Sequence, residues 1–180
     1  SFAYNYRQCG ENITFTVENG VLTITGTGAM YDYLEVYGEG YFDIEGYGIS
    51  GHGRSDGKEY YYRNIPWSTG EESNENERIY KIIVEEGITY IGSKKFLDAT
   101  ELVSVHIPST VTTIGENPFV GCASLTQMTL DNRNKHFKVE NDVLFDINQT
   151  RIISYFKTKD EDEYIIPESI IKIENSSISK

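Results

Sequence analysis

Short runs of alternating apolar and polar residues open the chain. Two such runs, residues 13–17 and 21–25, flank the dipeptide Asn19-Gly20. Alternation with a period of two is typical of a β-strand with one buried face, and Asn-Gly between two such runs favours a two-residue hairpin turn. Residues 12–26 are therefore predicted to form an amphipathic β-hairpin. Its inward residues are expected to be Phe15, Val17, Leu22 and Ile24.

Beyond Arg78 the apolar pattern repeats with a fixed period. Six apolar positions of residues 82–102 recur 23 residues further on. The pairs are Ile82 and Val105, Val84 and Ile107, Ile88 and Val111, Ile91 and Ile114, Phe96 and Phe119, and Leu102 and Leu125. A third unit begins at residue 127 and a fourth at residue 164, with a hairpin-like segment at 137–156 between them. A period of this length predicts a solenoid, because units that cannot bury their own apolar faces must stack.

The predicted stack has three internal columns of apolar side chains. They are Val84, Ile107, Leu130 and Ile166; Ile91, Ile114 and Ile173; and Phe96, Phe119 and Ile178. The last of about four units stops at Lys180, before its second corner, and an exposed final coil needs a cap. The chain is therefore expected to be the N-terminal part of a longer array.

Residues 31–78 interrupt the pattern. They are rich in tyrosine, glycine and acidic residues and keep no sustained period of 2 or 3.6. We predict a long irregular insertion that contains a short strand or two. The predicted domains are thus residues 1–78, the cap hairpin with its insertion, and residues 79–180, the repeats.

Net charge narrows the classes of partner. The 180 residues include 28 acidic and 16 basic ones, which gives a net charge of −12. Phosphate backbones and anionic membrane surfaces repel such a chain. No apolar run approaches the roughly 20 residues that span a bilayer. We therefore predict no nucleic-acid partner and no membrane insertion by this segment.

The second unit carries a motif with a recognisable pattern. It reads Ile107-Pro108, Val111, Ile114-Gly115, Phe119, Gly121-Cys122 and Leu125. This motif resembles the BspA-like leucine-rich repeat family, and residues 1–30 resemble the hairpin that opens such proteins. The resemblance covers residues 1–30 and about 65–180. Departures are Lys95 and Pro118, where the family usually has Ala, and Ala99 in the position of Cys122.

The resemblance implies a fold and a setting. The implied fold is mainly β, a right-handed leucine-rich-repeat solenoid of short stacked strands with an N-terminal β-hairpin cap and an inserted β-hairpin. The implied protein is located at the cell surface or secreted, in anaerobic bacteria or parasitic protists, and adheres to host proteins.

Catalytic and metal-binding patterns are weak throughout the chain. Residues 46–51 match G-x-G-x-x-G, but Gly53 and Gly57 follow where a dinucleotide site needs a helix. The histidines, His52, His106 and His136, lack a second ligand at metal spacing. The acidic run 160–163 lacks the alternation and the glycine of a calcium loop. We predict no enzyme activity, no cofactor and no metal, and we interpret Cys122 as a buried structural thiol.

Two regions are candidates for binding. The first is the outward face of the strands that begin each unit, where Ile83, His106, Thr129 and Ile165 form one column. The second is the insertion, whose tyrosines lie among glycines and serines, a mixture common in binding loops. The candidates there are Tyr41, Tyr47, Tyr60, Tyr61 and Tyr62. Packing of these rings on the cap hairpin is the alternative.

Glycosylation sequons begin at three residues. They are Asn12, Asn148 and Asn175. Asn148 is predicted to lie at the tip of the inserted hairpin, the best of these places for a glycan.

The main hypothesis is a non-enzymatic adhesin that binds a host or neighbouring-cell protein, such as one of the extracellular matrix. A carbohydrate-binding module, with tyrosines stacked on sugar rings, is the first alternative. A structural spacer of a larger surface protein is the second.

Overall fold

The structure is a computed structural model that describes residues 8–32, 34–37, 49–55, 58–63, 79–156 and 164–174. Within these ranges the chain forms fourteen strands and no helix. The strands are β1 (Gln8–Glu18), β2 (Val21–Met30), β3 (Leu34–Tyr37), β4 (Ile49–Ser55), β5 (Lys58–Arg63), β6 (Lys81–Val84), β7 (Ile88–Ile91), β8 (Ser104–Ile107), β9 (Thr113–Ile114), β10 (Gln127–Leu130), β11 (Phe137–Glu140), β12 (Val143–Asp146), β13 (Arg151–Tyr155) and β14 (Lys172–Ile173).

The predicted cap hairpin is present. Strands β1 and β2 pair antiparallel, with Glu18 opposite Val21. Asn19 and Gly20 join them at φ 51° and 77°, and Asn-Gly is favoured where both turn residues need positive φ. The predicted inward residues Phe15, Leu22 and Ile24 are buried, and Val17 is partly buried against the core.

Strand β2 starts two parallel ladders. Its first half pairs with β6, which continues through β8 to β10, and we call these four strands the first ladder. Its second half pairs with β7, which continues to β9, and these form the second ladder. Between the two halves Gly26 has a φ of 133°, and a Cβ there would lie 1.9 Å from the carbonyl oxygen of Asn12. Glycine is therefore required at this bend.

The period of 23 residues is the register of the ladders. Ile82 is opposite Val105 in the first ladder, and Ile91 is opposite Ile114 in the second. Because each coil contains the same number of residues, every apolar position meets its equivalent in the next coil. The fold is therefore the mainly β solenoid of stacked short strands that the sequence predicts, capped by the hairpin.

The columns of the first two units are confirmed. Val84, Ile107, Ile91 and Ile114 are buried, and the rings of Phe96 and Phe119 stack with centroids 5.5 Å apart. Leu130 is only partly buried. Full burial of one such side chain stabilises the fold by about 1.5–3 kcal/mol.

The glycine that follows each second strand has a steric reason. A Cβ at Gly92 would lie 2.3 Å from the carbonyl oxygen of Tyr31. Backbone of the neighbouring layer thus occupies the space of a side chain, which accounts for the Ile-Gly pair in each of the first two units.

The hairpin-like segment contains three strands. Strands β11, β12 and β13 pair antiparallel in order, and β14 joins β13 in parallel. The predicted bounds, 137–156, match β11–β13, and the segment has one strand more than a simple hairpin.

The predicted stacking of the fourth unit is wrong. Residues 164–167 form no strand, and Ile165 and Ile166 are 87% and 43% exposed. Ile173 is 40% exposed and pairs with β13 instead of extending the second ladder. The physical reason is that β14 pairs with β13 of the three-stranded segment, so the last unit extends that sheet instead of the ladders. Ile178 lies outside the described residues.

The insertion is more regular than its sequence suggests. Strands β3, β5 and β4 form an antiparallel sheet with β5 in the centre. The sequence predicts only a short strand or two here, because tyrosines and glycines show no apolar alternation. Backbone pairing alone does not need that alternation.

Candidate functional site

The outward side of the first ladder and of β1 forms a continuous surface, which we call the ladder face. Strand register aligns its residues in two rows. One row is Glu18, Val21, Lys81, Ser104 and Gln127, and the other is Thr16, Thr23, Ile83, His106 and Thr129. Five strands spaced at about 4.8 Å make a strip about 19 Å wide.

The ladder face combines a small apolar centre with polar surroundings. Ile83 and Val21 are partly exposed near its middle. Threonines, a serine and Gln127 surround them, and the Nδ1 of His106 lies 2.8 Å from the Oγ1 of Thr129 in a hydrogen bond. An apolar centre inside a polar rim is the usual composition of a protein interface.

Inward and outward positions of the first ladder differ in the residue types that they contain. The inward positions hold only apolar residues, which are Leu22, Ile82, Val105 and Met128, and Ile24, Val84, Ile107 and Leu130. The outward rows change from apolar to hydroxyl, imidazole, amide and charged side chains. Core packing therefore restricts the inward side of each strand to apolar residues and leaves the outward side free to vary.

One edge of the ladder face is lined with exposed charges. The Glu86 carboxylate accepts hydrogen bonds from the Ser109 backbone N–H at 3.0 Å and from the Arg133 Nη2 at 3.1 Å. Arg133 also pairs with Asp131 at 2.9 Å and, through its hydrogen bonds, lowers the pKa of that carboxyl to about 2. These ion pairs order the side chains at the edge, but they are exposed to solvent screening.

Three of the four predicted ladder residues lie together. Ile83, His106 and Thr129 are consecutive in one row of the ladder face. Ile165 is not on this face, because residues 164–167 do not pair with β10, and its placement there is corrected.

The predicted tyrosines fall into two groups. Tyr60, Tyr61 and Tyr62 are consecutive in β5, the central strand of the insertion sheet. Tyr41 and Tyr47 lie outside the described residues.

Two of the three sequon asparagines are exposed. Asn12 lies in β1 and Asn148 in the turn between β12 and β13, as predicted. Asn175 lies outside the described residues. Glycosylation of any of them remains a prediction.

Asn134 is a buried residue that the sequence analysis missed. Its Nδ2 donates to the carbonyl oxygens of Pro108 and Val111 at 2.9 and 3.0 Å. Its Oδ1 accepts from the backbone N–H groups of His136 and Phe137 at 2.9 and 3.2 Å. Asn134 stands 23 residues after Val111. The sequence signal for this role was the polar side chain of Asn134 at a position that is apolar in the earlier units.

A second missed cluster joins the last unit to the ladders. The guanidinium of Arg151 donates to the carbonyl oxygens of Ile114 and Gly115, both at 2.9 Å, and to the Glu174 carboxylate. Glu174, which is 4% exposed, also accepts from the Asn117 backbone N–H. In sequence Glu174 takes the position of the glycine in the Ile-Gly pair. The sequence shows this departure from the motif, but it does not show which groups the Glu174 carboxylate contacts.

Buried ionisable groups lie in the core between the cap and the first unit. Lys95 is 0% exposed, and desolvation lowers its pKa to about 7 while the nearby Cys9 and Asp32 oppose this effect. Desolvation raises the pKa of the Cys9 thiol to about 11. Cys122 lies in the second unit and is only partly buried rather than buried as predicted, and desolvation raises the pKa of its thiol to about 12. Such thiols are protonated at neutral pH and are poor nucleophiles, which agrees with the structural role inferred for Cys122.

Among the residues that the structure describes, no three His, Cys, Asp or Glu side chains are grouped as a metal ion would require. Along the same ranges, no helix is long and apolar enough to cross a membrane.

Comparisons with known proteins identify the repeats. The family model described as the BspA type leucine rich repeat region matches residues 68–180, in six copies. One similar solved structure is a leucine-rich repeat protein from Eubacterium ventriosum, with 21% identity over 94% of this chain and a TM-score of 0.37. Another is the pneumococcal vaccine antigen PcpA, with 14% identity over 93% of this chain and a TM-score of 0.29. The chain spans 55% and 60% of those two chains. None of the curated proteins matches significantly.

Proposed function

Because the chain belongs to the BspA type leucine-rich repeat family, we propose that it is a non-enzymatic surface or secreted protein whose ladder face binds another protein. Its partner is an extracellular protein of a host or of a neighbouring cell. The observation that carries the proposal is the contrast across the first ladder, where apolar residues fill every inward position and the outward rows vary.

Interface chemistry supports a protein partner for this face. Ile83 provides an apolar contact at the centre, while His106 and the threonines offer hydrogen bonds at fixed register. Strand residues lose little entropy on binding because the ladder already holds their backbone in place. A strip about 19 Å wide matches a loop or a strand of a folded partner rather than a small molecule in a cleft.

A charge substitution in the first coil tests the proposal. The variant Ile83→Lys places a charge in the centre of the ladder face, and Thr89→Lys places the same charge at an exposed position of β7 in the same coil. Binding to immobilised extracellular-matrix proteins, such as fibronectin and fibrinogen, and to intact host cells is measured for both. Ile83→Lys is expected to weaken binding at least tenfold, and Thr89→Lys to leave it within twofold of the parent chain.

Two outcomes would contradict the proposal. Equal loss in both variants would mean that the charge acts through the fold or through general electrostatics. Absence of saturable protein binding by the parent chain would favour a structural spacer instead.

A further inference from the structure

The two ladders end differently. At the end of the second ladder, the Arg151 guanidinium donates to the carbonyl oxygens of Ile114 and Gly115, so a side chain occupies the place of a further strand. The first ladder ends at β10, which pairs with β8 on one side. Within the described ranges no strand pairs with the other side of β10, which we call the open edge.

Backbone hydrogen bonds identify the groups on the open edge. The N–H groups of Gln127 and Asp131 each donate at 3.0 Å to a carbonyl oxygen on the side of β8. Successive residues of a strand direct their backbone groups to opposite sides, so the odd-numbered residues of β10 face β8. The N–H and C=O groups of Met128 and Leu130 therefore face the open edge.

Side-chain burial agrees with an uncovered edge. Val105 and Ile107, which the next coil covers, are 1% and 0% exposed. Their equivalents in β10 are Met128, at 8%, and Leu130, which is only partly buried. An apolar side chain of a ligand can therefore pack on Leu130 at this edge.

Strand β10 also lacks the features that protect other strand edges. Folded proteins protect such edges with charged residues, with proline or with very short strands. At the edges of the four-stranded sheet, β11 carries Lys138 and Glu140, which pair at 3.3 Å, and β14 has only two residues. The four residues of β10, Gln127–Leu130, include neither a charge nor a proline. Its open edge is thus suited to accept a further strand.

We propose that the open edge binds an extended segment of the protein partner, which pairs with β10 as a further parallel strand of the first ladder. The proposal rests on the proposed function, because the added strand continues the ladder face into the partner. Hydrogen bonds to the backbone of Met128 and Leu130 supply affinity, and alternate side chains of the segment supply specificity. One apolar residue of the segment packs on Leu130, and a polar neighbour lies beside Thr129.

Hydrogen exchange on the full chain tests whether the edge is open. The amide hydrogens of Met128 and Leu130 are expected to exchange about a hundredfold faster than that of Thr129, which β8 protects. The oligomeric state is measured in the same buffer. Equal protection of the three amides in a monomer would mean that another part of the chain covers the edge, and equal protection in a dimer would mean that a second copy does. Either result overturns the proposal.

A peptide that copies β8 tests the binding of a strand to the full chain. The probe is Val-Ser-Val-His-Ile-Pro-Ser, residues 103–109, because β8 already lies in parallel beside a preceding strand of the ladder. The Ser104 N–H donates to the Tyr80 carbonyl oxygen, so the even-numbered amides of this sequence face the preceding strand. Binding is measured by fluorescence anisotropy and is expected to slow the exchange of Met128 and Leu130.

Methylation of single amides separates backbone pairing from side-chain contacts. N-methylation at the position of His106 removes a donor that faces β10, and it is expected to weaken binding at least about tenfold. N-methylation at the position of Val105, whose amide faces away, is the matched control and is expected to change binding less than about twofold. Equal effects at the two positions would overturn the proposal. This series uses the parent chain, so it does not depend on how any variant folds.

A charge at the open edge tests the same site with the protein partner. Leu130→Lys places a charge where the added strand would pack, and it is expected to weaken binding of the peptide and of fibronectin or fibrinogen at least about tenfold. Asn132→Lys adds the same charge at an exposed position two residues further on and is the matched control. Thermal melting is recorded for both variants, and unchanged binding by folded Leu130→Lys would overturn the proposal.

Failure of this proposal is distinguishable from failure of the proposed function. A protein partner that binds without slowing the exchange of Met128 and Leu130 would overturn strand addition and leave binding at the ladder face intact. A chain that binds the peptide but no extracellular protein would overturn the proposed function, and with it the partner named here.

Discussion

The Nε of Arg151, at the start of β13, donates to the carboxylate of Glu174, which directly follows β14, at 2.6 Å. The same guanidinium donates to two backbone carbonyl groups at the end of β9. In a longer ladder, backbone N–H groups of a further strand would donate hydrogen bonds to such carbonyl groups. The side chains of Arg151 and Glu174 therefore complete the hydrogen bonding of the second ladder where its strands end.

Removing Arg151 tests the strength of this junction. The variant Arg151→Met leaves the buried Glu174 carboxylate and two carbonyl groups without the guanidinium, and we expect a loss of about 3–5 kcal/mol in the free energy of unfolding. Urea denaturation measures it. The double variant Arg151→Met with Glu174→Met is expected to recover part of that loss, because it removes the buried charge as well. A single variant as stable as the parent chain would contradict the assignment.

Replacing Asn134 by an apolar residue, the type found at the equivalent positions of the other units, is expected to destabilise the fold. The variant Asn134→Val matches the apolar column of Val111 but leaves two carbonyl oxygens and two N–H groups without partners. We expect a loss of about 2–4 kcal/mol in the free energy of unfolding, again by urea denaturation. Asn134→Asp keeps the acceptor and loses both donated hydrogen bonds, so it is the matched comparison. Greater stability of Asn134→Val would show that the repeat pattern outweighs the hydrogen bonds.

Lys95 is expected to make stability depend on pH near neutrality. Its pKa is about 7 in the folded chain and 10.5 as an ordinary lysine, so between these values the unfolded chain binds more protons. The free energy of unfolding should therefore rise as pH increases from 7 to 9 and change little through this group below 7. Above pH 9 the raised pKa values of Cys9 and Cys122 act in the opposite direction.

Two lysine variants isolate this effect. Lys95→Met removes the desolvated amine, and its gain in stability over the parent chain is expected to shrink as pH rises from 7 to 9. Lys94→Met removes the same charge from an exposed neighbour and should leave the pH dependence unchanged. The measurement is thermal melting from pH 6.5 to 9. Parallel pH profiles for all three chains would contradict the role assigned to Lys95.

Arg133 forms ion pairs with two carboxylates at the surface, yet its removal should lower stability little. It contacts Glu86 and Asp131, but its side chain is 69% exposed. Exposed ion pairs contribute little because solvent screens them, so Arg133→Ala is expected to lower the free energy of unfolding far less than Arg151→Met does. Urea denaturation at low and high salt measures this loss, which should fall further as salt increases. A loss as large as that of Arg151→Met would mean that exposure is not what separates the two arginines.

The sequence by itself determined the cap, the period and the ladders. Asn19-Gly20 allows only a few tight turns, and a fixed spacing of apolar residues can be buried only when coils of equal length stack. The ladder face follows from the same rule, because alternate residues of each strand must point away from the core. For this reason Ile83, His106 and Thr129 were found together from their spacing alone.

Only the tertiary structure decided how the repeat is interrupted and resumed. Asn134, Arg151 and Glu174 have roles that depend on which backbone groups lack a strand partner once the ladders have formed. No local sequence pattern shows which backbone groups will lack a strand partner. For this reason the stacking predicted for Ile165 and Ile166 was wrong. The antiparallel pairing of Tyr60 and Tyr62 with glycines was equally hidden, because backbone register between distant strands has no signature in the order of tyrosines and glycines.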